Sequence, residues 1–450
     1  MTGARRSAGG VAADDSIHIR NALVWPAWDA EPIRNGAILI SGGRIEKVGR
    51  FTARAAVELD AGGALAMPGF IHAHVHLCQT LFRGLAEDRP LPRWLRERIW
   101  PLEAAHDDES LAVSARLACA EMIRGGTTGF ASMETVRGTG ATLAAVAEVK
   151  LPGLVGHCLM DETGGYRTLS VPLDDALAEC DVLMEHARAH PWLDLAVAPR
   201  FALSCSRGNL IEAARYARSR GLRLHTHASE QPDEVEWVRR RIGMDNVEYL
   251  HVCGISGPDV ILAHCVQCGP AEQALLAQTG SHVAHCPSSN FKLGAGIAPI
   301  PEMLAAGVRV ALGADAAPCN NRLDMFAEMR LAGLMQSARR GPGVLAARAI
   351  VRMATEGGAA ALGWGEVAGR IEEGRRADVI LVELEDPSVL PDDDPASAVV
   401  YAAHPGAVAV TIAAGRILYE NGEFTTLDIE RLRADAAVQR QRLLRRAGLA

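Results

Sequence analysis

Short alternations of apolar and polar residues, broken by glycine, occupy residues 17–67: IHIRNALVW, GAILISGGRIEKVG and VELDAGGALAMPG. A period of two with glycine punctuation predicts strands of a half-buried sheet. The same pattern returns near the other end, in GRIEEGRRADVILVEL and AVAVTIAAGRILYENGEF. Neither set is large enough to be stable alone, so the two chain ends are predicted to build one small β-sandwich.

Between them the pattern changes to apolar strands alternating with amphipathic helices, which marks parallel βαβ units. Strand candidates fall at 69–76, 127–133, 153–160, 194–200, 222–228, 259–264, 281–285 and 308–315. Helices are predicted in the gaps, at 108–124, 173–188, 209–220 and 271–278, where apolar positions recur three and four apart. Eight such units predict an α/β fold, a (β/α)8 barrel beside the sandwich. The expected division is a flexible tail over 1–15, the sandwich from 16–67 and 366–425, the catalytic barrel over 68–365 and a C-terminal helix over 426–450.

Composition agrees with a large core: 49% of the 450 residues are apolar. Lys plus Arg is 46 against 54 for Asp plus Glu, a net charge of −8, and no basic run offers a track for phosphates, which argues against nucleic acid. Arg5 and Arg6 are followed by no apolar segment, so no secretory leader is expected, and no window has the roughly 18 apolar residues of a membrane span. Ten scattered cysteines fit free thiols in a reducing, cytoplasmic compartment. Cys265 and Cys268 form a Cys-x-x-Cys with no companion pair, and buried thiols are the better reading than a zinc knuckle.

In barrels of this kind the chemistry sits at the carboxyl ends of the strands, and here those ends carry His74, His76, His157, Arg200, His227, His264, His285 and Asp315. In PGFIHAHVH, His74 and His76 are two apart and share a face, so both can reach one ion. His72, in phase with them, is expected one layer deeper as a packing residue. In LRLHTHASE, His227 lies nearer the mouth than His225 and places Glu230 three residues on, where a loop carboxylate can face a substrate. His225 reads as a core imidazole. Asp315 ends the apolar run VRVALGAD, and a carboxylate there needs a cation or a strong donor to offset its desolvation, which a metal would supply. One strand histidine is more often a core residue than a ligand; it is the ordered conjunction that points to a metal. A two-metal site needs a bridging lysine or carboxylate, and only Lys47, Lys150 and Lys292 occur. His285 and Asn290 read equally as pocket lining or packing.

The stretches PGFIHAHVH, QTLFRGLAED, WLRERIWPLE, HTHASE, AHCVQC, AHCPSSNFKLGAGIAPIPEML, LGADAAPCNNRLDMFAEMRLA and EEGRRADVILVEL span most of the chain. As a set they resemble the amidohydrolase superfamily, in the branch of S-adenosylhomocysteine/5'-methylthioadenosine deaminases and triazine hydrolases. The resemblance implies metal ligands at His74, His76, His227 and Asp315, a proton-shuttling carboxylate at Glu230, and at His264 a group that orients the attacking hydroxide beside the substrate. It also implies a ribose contact at Glu103. One departure stands out: APRFALSCS looks like the Pro-Arg-Phe stretch of guanine deaminases and puts Arg200 in the pocket, either donating to a purine oxo group or pairing with a carboxylate such as Glu103. Another is His72, where relatives commonly carry Asn.

The expected catalytic groups are therefore Glu230, His264 and Asp315, with one divalent ion, zinc before iron, and a small aminoheterocycle and water as partners; relatives often form homo-oligomers. An adenosine-type deaminase ranks first, a guanine deaminase second and a triazine amino- or chlorohydrolase third. A noncatalytic metal-binding barrel is the reading from another class.

Overall fold

The computed structural model describes residues 16–89, 91–163, 166–385, 387–390 and 394–449, and the tail expected over 1–15 lies outside the described residues. Five strands open the chain: β1 (Ile17–Val24), β2 (Ile33–Ser41), β3 (Arg44–Gly49), β4 (Val57–Asp60) and β5 (Leu65–Pro68). The barrel strands follow as β6 (Phe70–Val75), β7 (Thr127–Met133), β8 (Gly153–Leu159), β9 (Leu193–Pro199), β10 (Arg223–Ala228), β11 (Val260–His264), β12 (His282–His285) and β13 (Arg309–Leu312). Four more close the chain: β14 (Val379–Val382), β15 (Val408–Ala413), β16 (Arg416–Glu420) and β17 (Glu423–Phe424).

The terminal strands form one nine-stranded mixed sheet. Its seam is β5 against β14, antiparallel from Leu65↔Val382 to Pro68↔Val379, so neither chain end completes the sheet alone. Ile17, Ile38, Ile40, Val379 and Ile412 share its core.

The eight central strands run parallel in chain order, and their edges meet where the Asp315 N–H donates to His74 O at 3.0 Å. All eight predicted strands are present, with ends shifted by three residues or fewer. Helices Asp108–Arg124 and Leu173–Arg188 match their prediction, while Arg207–Arg220 and Pro270–Thr279 start earlier. Ser206 accepts the Asn209 N–H and so caps the first of these, and Pro270 supplies a helical φ at the start of the second. Among the described residues no helix is long and apolar enough to cross a membrane.

The lower lumen is filled by small side chains, Ala73, Ala131, Ala196, Ala284 and Ala311, with Ile71 and Trp364. Trp364 closes the amino-terminal end against Gly129, where a Cβ would stand 2.8 Å from the indole. A bulge in β6 then matters for function. Ile71 pairs with Gly129 and His72 with Phe130, but the next pair is Val75 with Ser132, three residues against two. Below the bulge Ile71 and Ala73 face the lumen; above it His74 and His76 do. The expectation that His72 lies in phase, one layer deeper, is corrected: alternation from Ile71 and Ala73 turns it outward. There it is fully buried, burial pushes its pKa down to about 3, and neither ring nitrogen has a partner among the described residues. His157 is outward too, since Leu154 faces the lumen; it meets Thr139 Oγ1 at 2.9 Å in the helical layer.

A helical arm crosses the mouth: Leu91–Trp94, a π-helical turn Leu95–Ile99, and Trp100–Ala104. The C-terminal helix Ile429–Arg446 braces its base, with Arg440 donating to Arg83 O at 2.8 Å and Arg446 to Ala105 O at 2.6 Å.

Candidate active site

His74, His76, His227 and Asp315 each offer a ligand atom within 4.8 Å of the others. Their second ring nitrogens set the chemistry. His76 Nδ1 lies 2.8 Å from Met133 O and His227 Nδ1 lies 2.7 Å from Arg200 O. A carbonyl only accepts, so both Nδ1 atoms carry the proton and both Nε2 atoms present lone pairs. His225 extends the logic. Its Nδ1 reaches Ser132 O at 3.3 Å, which leaves its Nε2 to accept from His74 Nδ1 at 2.8 Å. His225 is thus the hydrogen-bonded core imidazole expected from the sequence.

The Nε2 atoms of His76 and His227 stand 3.2 Å apart. Two lone pairs at that distance repel, and His74 Nε2 is buried without a hydrogen-bond partner among the described residues. Asp315 Oδ1 lies 3.3 Å from His74 Nε2 and 3.4 Å from His76 Nε2. Burial holds all three imidazoles below their ordinary pKa, His76 to about 3, so they are neutral. Three neutral imidazoles aimed inward with one carboxylate fit a divalent cation of the zinc or iron type.

The proton-bearing groups stand beside this cluster. His264 Nε2 is 3.8 Å from Glu230 Oε2 and 3.9 Å from Asp315 Oδ2. Burial pushes Glu230 up to about 7, while His264 pulls it down and Asp315 and Glu234 push it up again. Burial works against a charged His264, yet Glu230 and Asp315 outweigh it and raise its pKa. His264 and Asp315 both have left-handed backbones, φ 74° and 58°, as does Ser229 before Glu230 at φ 49°. Such conformations cost about 1–3 kcal/mol each and persist where surrounding contacts impose them.

Several of those contacts escaped the sequence reading. The Ser289 hydroxyl donates to Asp315 Oδ2 at 2.5 Å, and the Cys319 thiol to the same oxygen at 3.2 Å. Asn290 Oδ1 accepts from His264 Nδ1 at 2.8 Å, which settles Asn290 as a support of the site. Glu234 accepts the Glu230 N–H at 2.8 Å and fixes the loop under that carboxylate. The one available signal was proximity in sequence, since Ser289 and Asn290 follow His285 and Glu234 follows Glu230. His285 makes no side-chain hydrogen bond among the described residues and does not line the cleft.

Arg200 and Glu103 meet as a pair. The guanidinium donates to Oε2 at 2.6 Å and Oε1 at 3.1 Å, and Gln79 Nε2 donates to Oε1 at 2.8 Å. Arg200 and Gln79 line the cleft, whereas the Glu103 side chain, 1% exposed, lies behind them. Of the residues singled out, the structure gathers His76, His227, Glu230, His264, Asp315 and Arg200 around one cleft, holds His74 fully buried within ligand reach of them, and sets Glu103 one layer back. All ten cysteines are free and buried, Cys265 and Cys268 included.

Similarity to known proteins points the same way. The model of the amidohydrolase family matches residues 65–418. A 5-methylthioadenosine/S-adenosylhomocysteine deaminase of Syntrophobacter fumaroxidans is 38% identical over 401 residues, covering 88% of this chain and 90% of the relative. A 5'-deoxyadenosine deaminase of Methanothermobacter thermautotrophicus is 38% identical over 406 residues, covering 89% and 93%. The crystal structure of an adenosine deaminase of Xanthomonas campestris with bound zinc superposes with a TM-score of 0.89 at 32% identity, over 95% of this chain and 98% of that one. A barrel closed through β6 and β13, an inward-facing set of three histidines and an aspartate, and matches over this length establish that the chain belongs to the amidohydrolase family.

Proposed function

We propose that this protein is a hydrolytic deaminase that replaces an exocyclic amino group of a nitrogen heterocycle with oxygen, acting on an adenosine-type nucleoside. The observation that carries the reading is the set of Nε2 lone pairs of His74, His76 and His227 converging with Asp315, next to Glu230 and His264. The names of the relatives, deaminases of 5'-substituted adenosines, support the substrate class.

His74, His76, His227 and Asp315 would hold the divalent ion, zinc before iron, which supplies Lewis acidity and lowers the pKa of water at the site. Asp315 Oδ2, already accepting from Ser289 and Cys319, takes a proton from the attacking water. Glu230 Oε2 delivers a proton to the ring nitrogen beside the carbon under attack, which keeps charge off the dearomatised ring. His264 Nε2, oriented through Asn290, holds the incoming oxygen in line. Collapse of the tetrahedral centre with a further proton expels ammonia, so water and the amine become the oxo product and NH3.

A guanine deaminase is the second reading. It rests on Arg200 meeting a purine oxo group, and the bidentate pair with Glu103 takes two of the guanidinium's five N–H donors and matches its charge. Ammonia release from adenosine, 5'-methylthioadenosine, 5'-deoxyadenosine, guanine and melamine tests the ranking on the metal-loaded protein. Glu230→Gln should retain stoichiometric metal and lose activity by about 100-fold or more. Normal turnover in that variant removes Glu230 from the chemistry, and metal without turnover on any substrate restores the noncatalytic barrel.

A further inference from the structure

The cleft divides by chemistry. Its floor is the ligand cluster with Glu230 and His264, one side carries Gln79 and Arg200, and the rest is Leu91, Trp94, Leu95, Phe201 and Leu293. Leu91, Trp94 and Leu95 come from the arm across the mouth, Phe201 follows β9, and Leu293 follows the turn that carries Ser289 and Asn290. The floor takes the amine-bearing edge of the ring, so every other part of a nucleoside must meet the two side walls.

Only one of those walls is polar, and most of its capacity is used. Arg200 is the one cation lining the cleft among the described residues, and its charge is matched by Glu103. Gln79 Oε1 is buried without a partner, one acceptor suited to a sugar hydroxyl. What remains for the substituent at the sugar's 5' position is leucine, tryptophan and phenylalanine.

We infer that the site selects nucleosides whose 5' substituent is uncharged and apolar, such as a methyl or methylthio group, and discriminates against an amino-acid tail. The inference rests on the adenosine-type reading and narrows it. A methylthio group gains contact with the leucines and the indole, through apolar burial and sulfur–aromatic attraction. An α-ammonium and α-carboxylate would exchange water for the same surface with no unmatched Lys or Arg among the described lining residues to meet the carboxylate.

The test compares 5'-methylthioadenosine with S-adenosylhomocysteine on the metal-loaded full chain. The ratio of kcat/KM should favour the first by about 30-fold or more, and dissociation constants measured on Glu230→Gln should show the same order. Leu95→Arg, which offers the carboxylate a partner, should narrow the ratio by about tenfold. Equal kcat/KM for the two wild-type substrates overturns this inference and leaves the deaminase reading standing. Failure on every adenosine derivative sinks that reading and this inference with it. Because the wild-type ratio decides the matter alone, a Leu95 variant that fails to fold changes nothing.

Discussion

The two ends of the same eight strands hold similar residues to opposite effect. At the carboxyl end, His74, His76, His264 and Asp315 are buried and His227 half-buried, converging at the floor of a narrow cleft. At the amino end, His282, Arg309 and Arg352 border a wider cleft of about 940 Å³. There the charges are solvated or matched in pairs: Arg370 with Asp29 and Glu356, Arg375 with Glu372, while Arg309 is exposed. No ligand cluster forms there among the described residues. The larger cavity is thus not the chemical one. What sets the carboxyl end apart is the convergence of potential ligand atoms, which cavity size does not measure.

That contrast can be broken experimentally, beginning with the costliest change. Arg200→Ala strands Glu103 as a buried, unpaired charge beneath the active cleft, and should lower stability by about 3–5 kcal/mol and reorder substrates. Denaturant melts of Arg200→Ala and of the double variant with Glu103→Gln measure it, and the double variant should recover much of the loss. Unchanged stability in the single variant would show that the pair is not formed in solution.

Trp364→Ala opens a cavity at the plugged end and should cost about 3 kcal/mol. Its folded fraction should keep wild-type kinetic constants and metal content, because the indole's contacts, the lower lumen, Asp194 and Arg376, include none of the groups at the carboxyl end; a large fall in kcat would tie the two ends together.

Glu328 sharpens the comparison through pH. It is fully buried near the active end, accepting from Ser288 N at 3.1 Å and Asn320 Nδ2 at 2.8 Å. Burial raises its pKa from 4.5 to about 8. Between those values the folded chain keeps a proton that the unfolded chain has released. Its stabilising effect is therefore complete near pH 4.5 and is lost as pH rises toward 8, by at most about 1.4 kcal/mol per pH unit. Denaturation midpoints at several pH values should show a steeper decline for wild type than for Glu328→Gln, and equal slopes would assign the titration elsewhere. At the other extreme, Arg352→Ala in the wide cleft removes an exposed contact over the Trp28 ring, and should cost no more than about 1 kcal/mol and leave kcat untouched. A marked loss of activity there would reveal a role that pairing and solvation do not suggest.

Much of the architecture was legible because period and order are local. The alternation of VELDAGGALAMPG, the apolar run before Asp315, and the apolar spacing of three and four in the helices each report on a few neighbouring residues. The bulge was not legible, because PGFIHAHVH reads as a regular strand; the extra residue is set by how β6 meets β7 and where Trp364 fills the lumen. Arg200 was ambiguous for a related reason. Its partner lies 97 positions away on the helical arm over the mouth, and only the tertiary structure brings the two together.

From the order of residues alone came eight strands, the two-ended sheet, and a ligand set spaced so that three histidines and an aspartate fall at strand ends. These depend on backbone periodicity, which each segment carries within itself. The tautomer of each imidazole, the pairing that sets Glu103 behind Arg200, and the apolar side of the cleft arose only in three dimensions. They depend on which atoms, far apart along the chain, exclude water from one another, and that is a property of the packed molecule.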